Sequence, residues 1–508
     1  MDCFARCTST ILITVTTVSA VLVGCQQPVV PPPGPLSVKL DARGPYFILT
    51  SQEAQSSYSG AIAEARKLHP NAETIVFDPA RLPELSEKLK LAQPRYAMLF
   101  LEPQELDVNF AWKWLTLTTQ LDNDPFVDVR SGFVTGDSPE SVESFVKRIG
   151  AAVHGEAKLP GKMIDNFGPN TQGQANAFYQ SRGNFFLPAY EKRFALESIT
   201  HGAKGFSDDR LKAMDGAGML HFGGHGYPDR VDEGVLGTQA RRLTLAPCIA
   251  FNGACYTGVT SRWFDQWSAD GNIAEHRVTS EKSFCLGLLS NQAIAYLAAL
   301  HPDHGIPVYQ EMEYLAYSGA SLGDVMKYTH DGVVMGAGGK LPEFEELLGG
   351  SPRPTWTPAD VMLKGTAARV LFGDPALVVG EPFSDPPFQI SIDEREQCLF
   401  VTATLSNKKL KSTYTDTYHA DLAWDRTGFN DRVLIQCDLP AEWKSATYFD
   451  VYSFEANGKP LKHRVVAHGI EHDNGQNRLN VQIDVPTTAY MTSPFRSSDS
   501  KVVVKLTR

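Results

Sequence analysis

Three short apolar runs, YFILT at 46–50, ETIVFD at 73–78 and YAMLFLE at 96–102, alternate with stretches of helical period, SYSGAIAEARKL, LPELSEKLKLA and FAWKWLTLTTQL. A strand that returns parallel to its neighbour needs a crossover long enough to hold a helix. The alternation therefore restricts this part of the chain to an α/β fold with a mostly parallel sheet and flanking helices. The pattern resumes with SVESFVKRIGAAV as a helix, GKMI as a strand, DDRLKAM as a short helix, and GMLHF and CIAFN as strands. Beyond DPPF near residue 385 the texture changes. FQISIDE, CLFVTATLS, RVLIQCDL, ATYFDVYSFE, HRVVAHGI, RLNVQIDV and KVVVKLT are strands broken by polar turns, the pattern of an all-β immunoglobulin-like sandwich.

The first 25 residues are set apart from the fold. Arg6 precedes ILITVTTVSAVLVG, too short for a comfortable membrane span and suited to a secretory leader. The run ends in LVGC, which resembles a bacterial lipobox and implies lipidation of Cys25. The proline-rich QQPVVPPPGP behind it reads as a stiff spacer. The expected organisation is leader 1–25, linker 26–37, N-terminal α/β subdomain 38–150, catalytic subdomain 151–384 and sandwich 386–508. A length of 508 residues suits several domains. The net charge of −11, with no basic run to neutralise phosphates, argues against nucleic acid as a partner. The expected location is the bacterial cell envelope, periplasmic or surface-facing, held to the membrane by a lipid on Cys25.

Residues 219–230, MLHFGGHGYPDR, place His225 among three glycines directly after a buried strand, where it is presented to solvent. CIAFN followed by GAC places Cys255 in the loop after another strand. If the two strands are parallel neighbours, both side chains emerge at the carboxyl edge of the sheet. A thiol is weakly ionised at neutral pH until a base or cation assists it. An imidazole can take its proton and later protonate a leaving amine. The N–H groups of Gly226 and Cys255 can hold an oxyanion. The competing reading for Cys255 is a buried small residue. His221 and His225 have the i, i+4 spacing of helical metal ligands, but Gly223 and Gly224 argue against a helix, so no metal site is expected there. His221 reads as a hydrogen-bonded structural residue, and Cys248 and Cys285 as core. SRWFDQW reads as helix core, with Trp263 a candidate for a substrate subsite. Cys398 and Cys437, both in the β-rich region, are candidates for a disulfide.

DDRLKAMDGAGMLHFGGHG, CIAFNGACYTG, QAIAYLAALH and ARVLFGDPALVVG, followed by a sandwich, resemble the gingipain-like cysteine peptidases of the caspase, legumain and clostripain clan. The resemblance spans about residues 125–380. It implies a caspase-like sheet and a cysteine endopeptidase acting on protein or peptide substrates through a thioester. Cys255 would be the nucleophile, His225 the general acid and base, and Gly226 with Cys255 the oxyanion donors. Asp165, in KMIDNFGP, would assist the histidine. LHPDH, with His301 and His304, would form a wall of the specificity pocket; it departs from the gingipain pattern, so no preference for arginine or lysine carries over. No cofactor is required, and the resemblance allows a structural calcium. Two other classes remain open: an inactive surface binding protein on this scaffold, and a cysteine transpeptidase or acyltransferase.

Overall fold

The computed structural model describes residues 34–167, 190–200, 208–231, 235–243, 245–265, 274–303, 306–344, 358–383, 385–386, 388–405, 431–443, 448–455, 464–473, 475–485 and 500–507. The leader with Cys25, residues 26–33 of the proline linker, Trp267 and His304 lie outside them. No helix among the described residues is long and apolar enough to cross a membrane.

The strands are Val38–Leu40 (β1), Tyr46–Ser51 (β2), Glu73–Phe77 (β3), Tyr96–Phe100 (β4), Arg130–Val134 (β5), Lys162–Phe167 (β6), Ala195–Thr200 (β7) and Met219–Phe222 (β8). Then come the short Gly226–Tyr227 (β9), Arg230–Val231 (β10) and Val235–Leu236 (β11), followed by Cys248–Asn252 (β12), Arg262–Asp265 (β13), Ala274–Arg277 (β14), Ala293–Ala299 (β15), Arg369–Gly373 (β16) and Leu377–Val379 (β17). Ten of them form one sheet in the order β3-β2-β4-β5-β16-β15-β12-β8-β6-β7, so strands on both sides of residue 150 share it. Every residue of β2, β4, β12, β15 and β16 is buried. Such continuous apolar runs are what a sheet covered on both faces requires. The covering helices follow the same logic. Pro139–Val153 starts with Ser138 capping the N–H of Ser141 and proline in the first turn, and buries Val142, Phe145, Val146 and Ile149.

Neighbouring strands of this sheet pair in parallel throughout, with the sole exception of β15 and β16. The sheet is thus two five-stranded halves running in opposite directions. Their carboxyl edges lie at opposite ends, and the edge shared by β8 and β12 belongs to the second half.

The remaining strands are Phe388–Arg395 (β18), Cys398–Leu405 (β19), Asp431–Asp438 (β20), Tyr448–Glu455 (β21), Arg464–Asp473 (β22), Gln476–Val485 (β23) and Ser500–Thr507 (β24). They form two antiparallel sheets, β18-β19-β24-β21 and β20-β23-β22. Strict alternation of burial along β19 turns Leu399, Val401, Ala403 and Leu405 onto a core shared with Ile435, Leu479, Val481, Ile483 and Trp443. In strand order the sandwich differs from an immunoglobulin constant domain: the seventh strand, β24, lies where the fifth lies there. Cys398 and Cys437 stand in opposite sheets as free thiols, so the pairing that the sequence left open is not formed.

The sandwich packs on the helix Leu322–Gly336. Phe126, Tyr328, Met335 and Leu434 form a small apolar cluster there, and Tyr314 Oη donates to Gln436 Oε1 at 2.9 Å. Beside it the buried Lys327 ammonium bridges Asp331, at 2.5 Å, and Glu471 of β22, at 2.8 Å.

Candidate active site

The parallel pairing of β8 and β12 aligns Phe222 with Asn252 at the ends of the two strands. His225 stands three residues beyond the first end (225 − 222) and Cys255 three beyond the second (255 − 252), so the two loops leave the sheet edge side by side. Gly253 N–H donates to Phe222 O at 2.9 Å and ties them together. Gly226 comes closer still. A Cβ placed on it would lie 2.3 Å from Cys255 O and 2.8 Å from Ala254 Cβ, so no side chain fits at 226. His225 is exposed, Gly226 is buried, and Cys255 is half-buried.

The loop that carries Cys255 is fixed from within. Asn252 Oδ1 accepts from Ala254 N–H at 2.8 Å, while its Nδ2 donates to Tyr296 Oη at 2.9 Å. Thr257 Oγ1 donates to Ala254 O at 2.9 Å, and Tyr296 Oη donates to Thr257 O at 3.0 Å. Tyr256, directly after the cysteine, has φ of +60°, a left-handed conformation that costs a non-glycine residue about 1–3 kcal/mol. It is held there by its N–H bond to His301 O at 3.3 Å and by Val259 N–H donating to its carbonyl at 3.0 Å.

Beneath the loop lies a buried charged floor. Arg369, the first residue of β16, is fully buried and chelates Glu311 through Nε at 2.5 Å and Nη2 at 2.7 Å. Its Nη1 donates to Asn252 O at 2.9 Å and to the Asp303 carboxylate. Burial pushes the Glu311 carboxyl upward, with Arg369 opposing it, and the two carboxylates hold the guanidinium firmly protonated. Asp303 touches the thiol through its main chain: its carbonyl accepts from Cys255 Sγ at 3.2 Å, and its N–H donates to Sγ at 3.3 Å.

Several expected site residues are placed differently. Asp165 lies inside β6, in register with His221 of β8, and Asp165 Oδ1 is bonded to His221 Nδ1 at 2.7 Å. Both are fully buried, so Asp165, expected to assist His225, meets His221 in the neighbouring strand, and His221 is hydrogen-bonded within the sheet. Trp263 is in a strand, not a helix: β13 and β14 form a hairpin in which Trp263 stacks on His276 with ring centres 4.7 Å apart. The hairpin sets Trp263 against Tyr256, 4.9 Å between ring centres, beside the cysteine. His301, expected in a wall of the specificity pocket, is buried behind Tyr256, with ring centres 6.0 Å apart; burial, with the nearby Lys364 charge, pulls its imidazole down to about 3 and keeps it neutral. His304 lies outside the described residues.

Cys248, Cys285 and Cys437 are buried, whereas Cys398 is half-buried at the start of β19. Burial pushes Cys248 up to about 12 and Cys437 to about 11, and raises Cys285 well above the usual range. Away from the thiol, carboxylate oxygens of Asp122, Asp124 and Asp128 lie within 4.8 Å of one another. Burial, followed by repulsion from its acidic neighbours, pushes Asp128 up to about 8. An all-carboxylate oxygen set suits a hard cation such as calcium.

Tyr256, Asp303, Glu311 and Arg369 escaped the sequence reading. Arg369 carried the one available signal, a lone charge opening the apolar run ARVLFG, which in a strand covered on both faces requires a buried acidic partner.

No family model matches the chain, and no curated protein matches it. Among solved structures, one described as "Structure of Protease" matches with a TM-score of 0.45 at 10% identity, covering 87% of this chain and 92% of the other. The complex of Porphyromonas gingivalis RgpB pro- and mature domains matches with a TM-score of 0.45 at 11% identity, covering 87% and 97%. The Saccharomyces cerevisiae separase–securin complex matches with a TM-score of 0.34 at 10% identity, covering 57% of this chain and 16% of the other. Likenesses at this level carry no conclusion about chemistry, which is drawn below from the chain's own residues.

Proposed function

We propose that the chain is a cysteine endopeptidase in which Cys255 is the nucleophile and His225 the general acid and base. The observation that carries this reading is the contact between the two loops, with Gly226 packed against the Cys255 carbonyl so closely that only glycine fits. His225 takes the Sγ proton as sulfur attacks the substrate carbonyl carbon, and the N–H groups of Gly226 and Cys255 receive the developing oxyanion. The C–N bond breaks as His225 returns the proton to the leaving amine. Water, activated by the same imidazole, then cleaves the thioester. Asp165 orients His221 in the neighbouring strand of the same sheet, and Trp263 with Tyr256 forms an aromatic wall beside the thiol.

Residues that act as one unit lose activity non-additively. His225→Ala, Cys255→Ala and the double variant are therefore expected to fall to a common floor on any peptide the wild type cleaves, while His221→Gln lowers the melting temperature more than turnover. Full activity in Cys255→Ala overturns the reading. The substrates are proteins or peptides met at a bacterial envelope, with the chain tethered through a lipid on Cys25; Cys25→Ser should release it from the membrane fraction of its host, and unchanged sedimentation would refute the tether. A structural calcium, if the chain binds one, would be held by Asp122, Asp124 and Asp128.

A further inference from the structure

Cys255 Sγ is held by both polar atoms of one main-chain residue. The Asp303 carbonyl, 3.2 Å away, accepts from the neutral thiol, and the Asp303 N–H, 3.3 Å away, donates to sulfur. When the thiol ionises, the first contact loses its proton and the carbonyl then opposes the charge, while the second becomes a hydrogen bond to an anion and outweighs it. A hydrogen bond to a charged group is the stronger kind, so an N–H held at this place favours the thiolate. Asp303 keeps its place because its carboxylate is bonded to Arg369 Nη1, the same atom that holds Asn252 O at the root of the cysteine loop. Glu311 fixes the guanidinium from the far side with two bonds. One buried side chain therefore sets the distance between the loop that carries the sulfur and the segment that solvates it.

We propose that Arg369 is a positioning residue for the Cys255 thiol, acting through Asp303 to hold a main-chain N–H on the sulfur, with Glu311 fixing its orientation. The proposal rests on Cys255 being the nucleophile, but its consequence is a property of the thiol itself. Charged and titratable groups on the elements packed against the loop include His225 on the adjoining loop, His301 behind Tyr256 with Lys364 near it, Asp303, Arg369 and Glu311, and the Asp165–His221 pair within the sheet.

Through-space charge and positioning predict different signs. Removing the Asp303 carboxylate by field alone lowers the thiol pKa, because a negative charge has gone. Removing it as an anchor raises the pKa, because the N–H is no longer held on sulfur. The test is the pH profile of iodoacetamide alkylation at Cys255, resolved by peptide mass spectrometry in the full-length protein and its variants. Arg369→Met and Asp303→Ala are each expected to move the midpoint upward by about one pH unit, tenfold in thiolate fraction below it. The double variant is expected to move no further than either single one, since both act through one contact. Asp303→Ala leaves the Arg369–Glu311 pair in place and decides the matter should Arg369→Met fail to fold. A midpoint that stays or falls in Asp303→Ala, or shifts that add in the double variant, overturns the proposal. Because alkylation requires no turnover, failure to cleave any peptide would count against the peptidase reading alone.

Discussion

Gly226 and Cys255 meet backbone to backbone, and the 2.3 Å that would separate a Cβ on residue 226 from the Cys255 carbonyl oxygen makes this contact specific to glycine. Gly226→Ala must therefore push the two loops apart, moving one oxyanion donor away from the other. The loss expected is ~10²–10³-fold in kcat, the cost of one such donor, together with a loss of stability of about 1–3 kcal/mol from the forced separation. Steady-state kinetics on a cleaved peptide checks this, and an unimpaired Gly226→Ala would remove Gly226 from the site.

The sandwich is fastened through a buried charge. Lys327 and Glu471 are 2.8 Å apart, with side chains 2% and 4% exposed, and Asn480 Nδ2 donates to the second carboxylate oxygen at 3.1 Å. Removing one partner of a buried pair leaves the other uncompensated at a cost of about 3–5 kcal/mol. Asp331 still faces Lys327, so Glu471→Leu should come near the lower end. Calorimetry should show a lowered transition, and a wild-type melt would mean that Glu471 contributes nothing to docking.

Two buried histidines set an acid limit. Burial pulls His301 down to about 3 and His330 to about 4, against an ordinary value near 6.5. The unfolded chain then binds more protons than the folded one between these limits. The stability these neutral rings confer is complete above about pH 6.5 and is lost as pH falls toward 3, with a slope of at most about 1.4 kcal/mol per pH unit for each. His301→Leu should flatten that slope in urea titrations between pH 6.5 and 4. An unchanged slope would mean that His301 is protonated in the folded state.

The legible part of the fold was the part governed by periodicity. The runs YFILT, YAMLFLE, GMLHF and CIAFN became β2, β4, β8 and β12 because buried strands need continuous apolar residues, ETIVFD became the half-exposed edge strand β3, and the seven C-terminal runs became β18 to β24. The reversal between β15 and β16 was not legible, since AIAYLAA and RVLFG carry no mark of direction. SRWFDQW misled because its apolar spacing also suits a helix, and only the pairing with AEHR makes it a hairpin. In the candidate site, His225 and Cys255 showed themselves through the glycines and strand ends around them. Asp165 was assigned from the family resemblance, as an acidic residue following an upstream strand, and the in-register pairing of β6 with β8 that brings it to His221 was not legible in the sequence. Asp303 acts through main-chain atoms, which its side chain does not announce.

The central claim is that the thiol of Cys255 attacks carbonyl carbon with His225 as its base, and covalent capture tests it most directly. The full-length protein is treated under reducing conditions with a small panel of peptidyl fluoromethyl ketones of differing side chains, and the adduct is located by mass spectrometry. The account predicts one equivalent of label, on Cys255, formed at a rate that falls sharply in His225→Ala and to nothing in Cys255→Ala, with Cys248, Cys285 and Cys437 unlabelled. Label distributed over the other cysteines, or a Cys255 labelled as fast without His225 as with it, would contradict it.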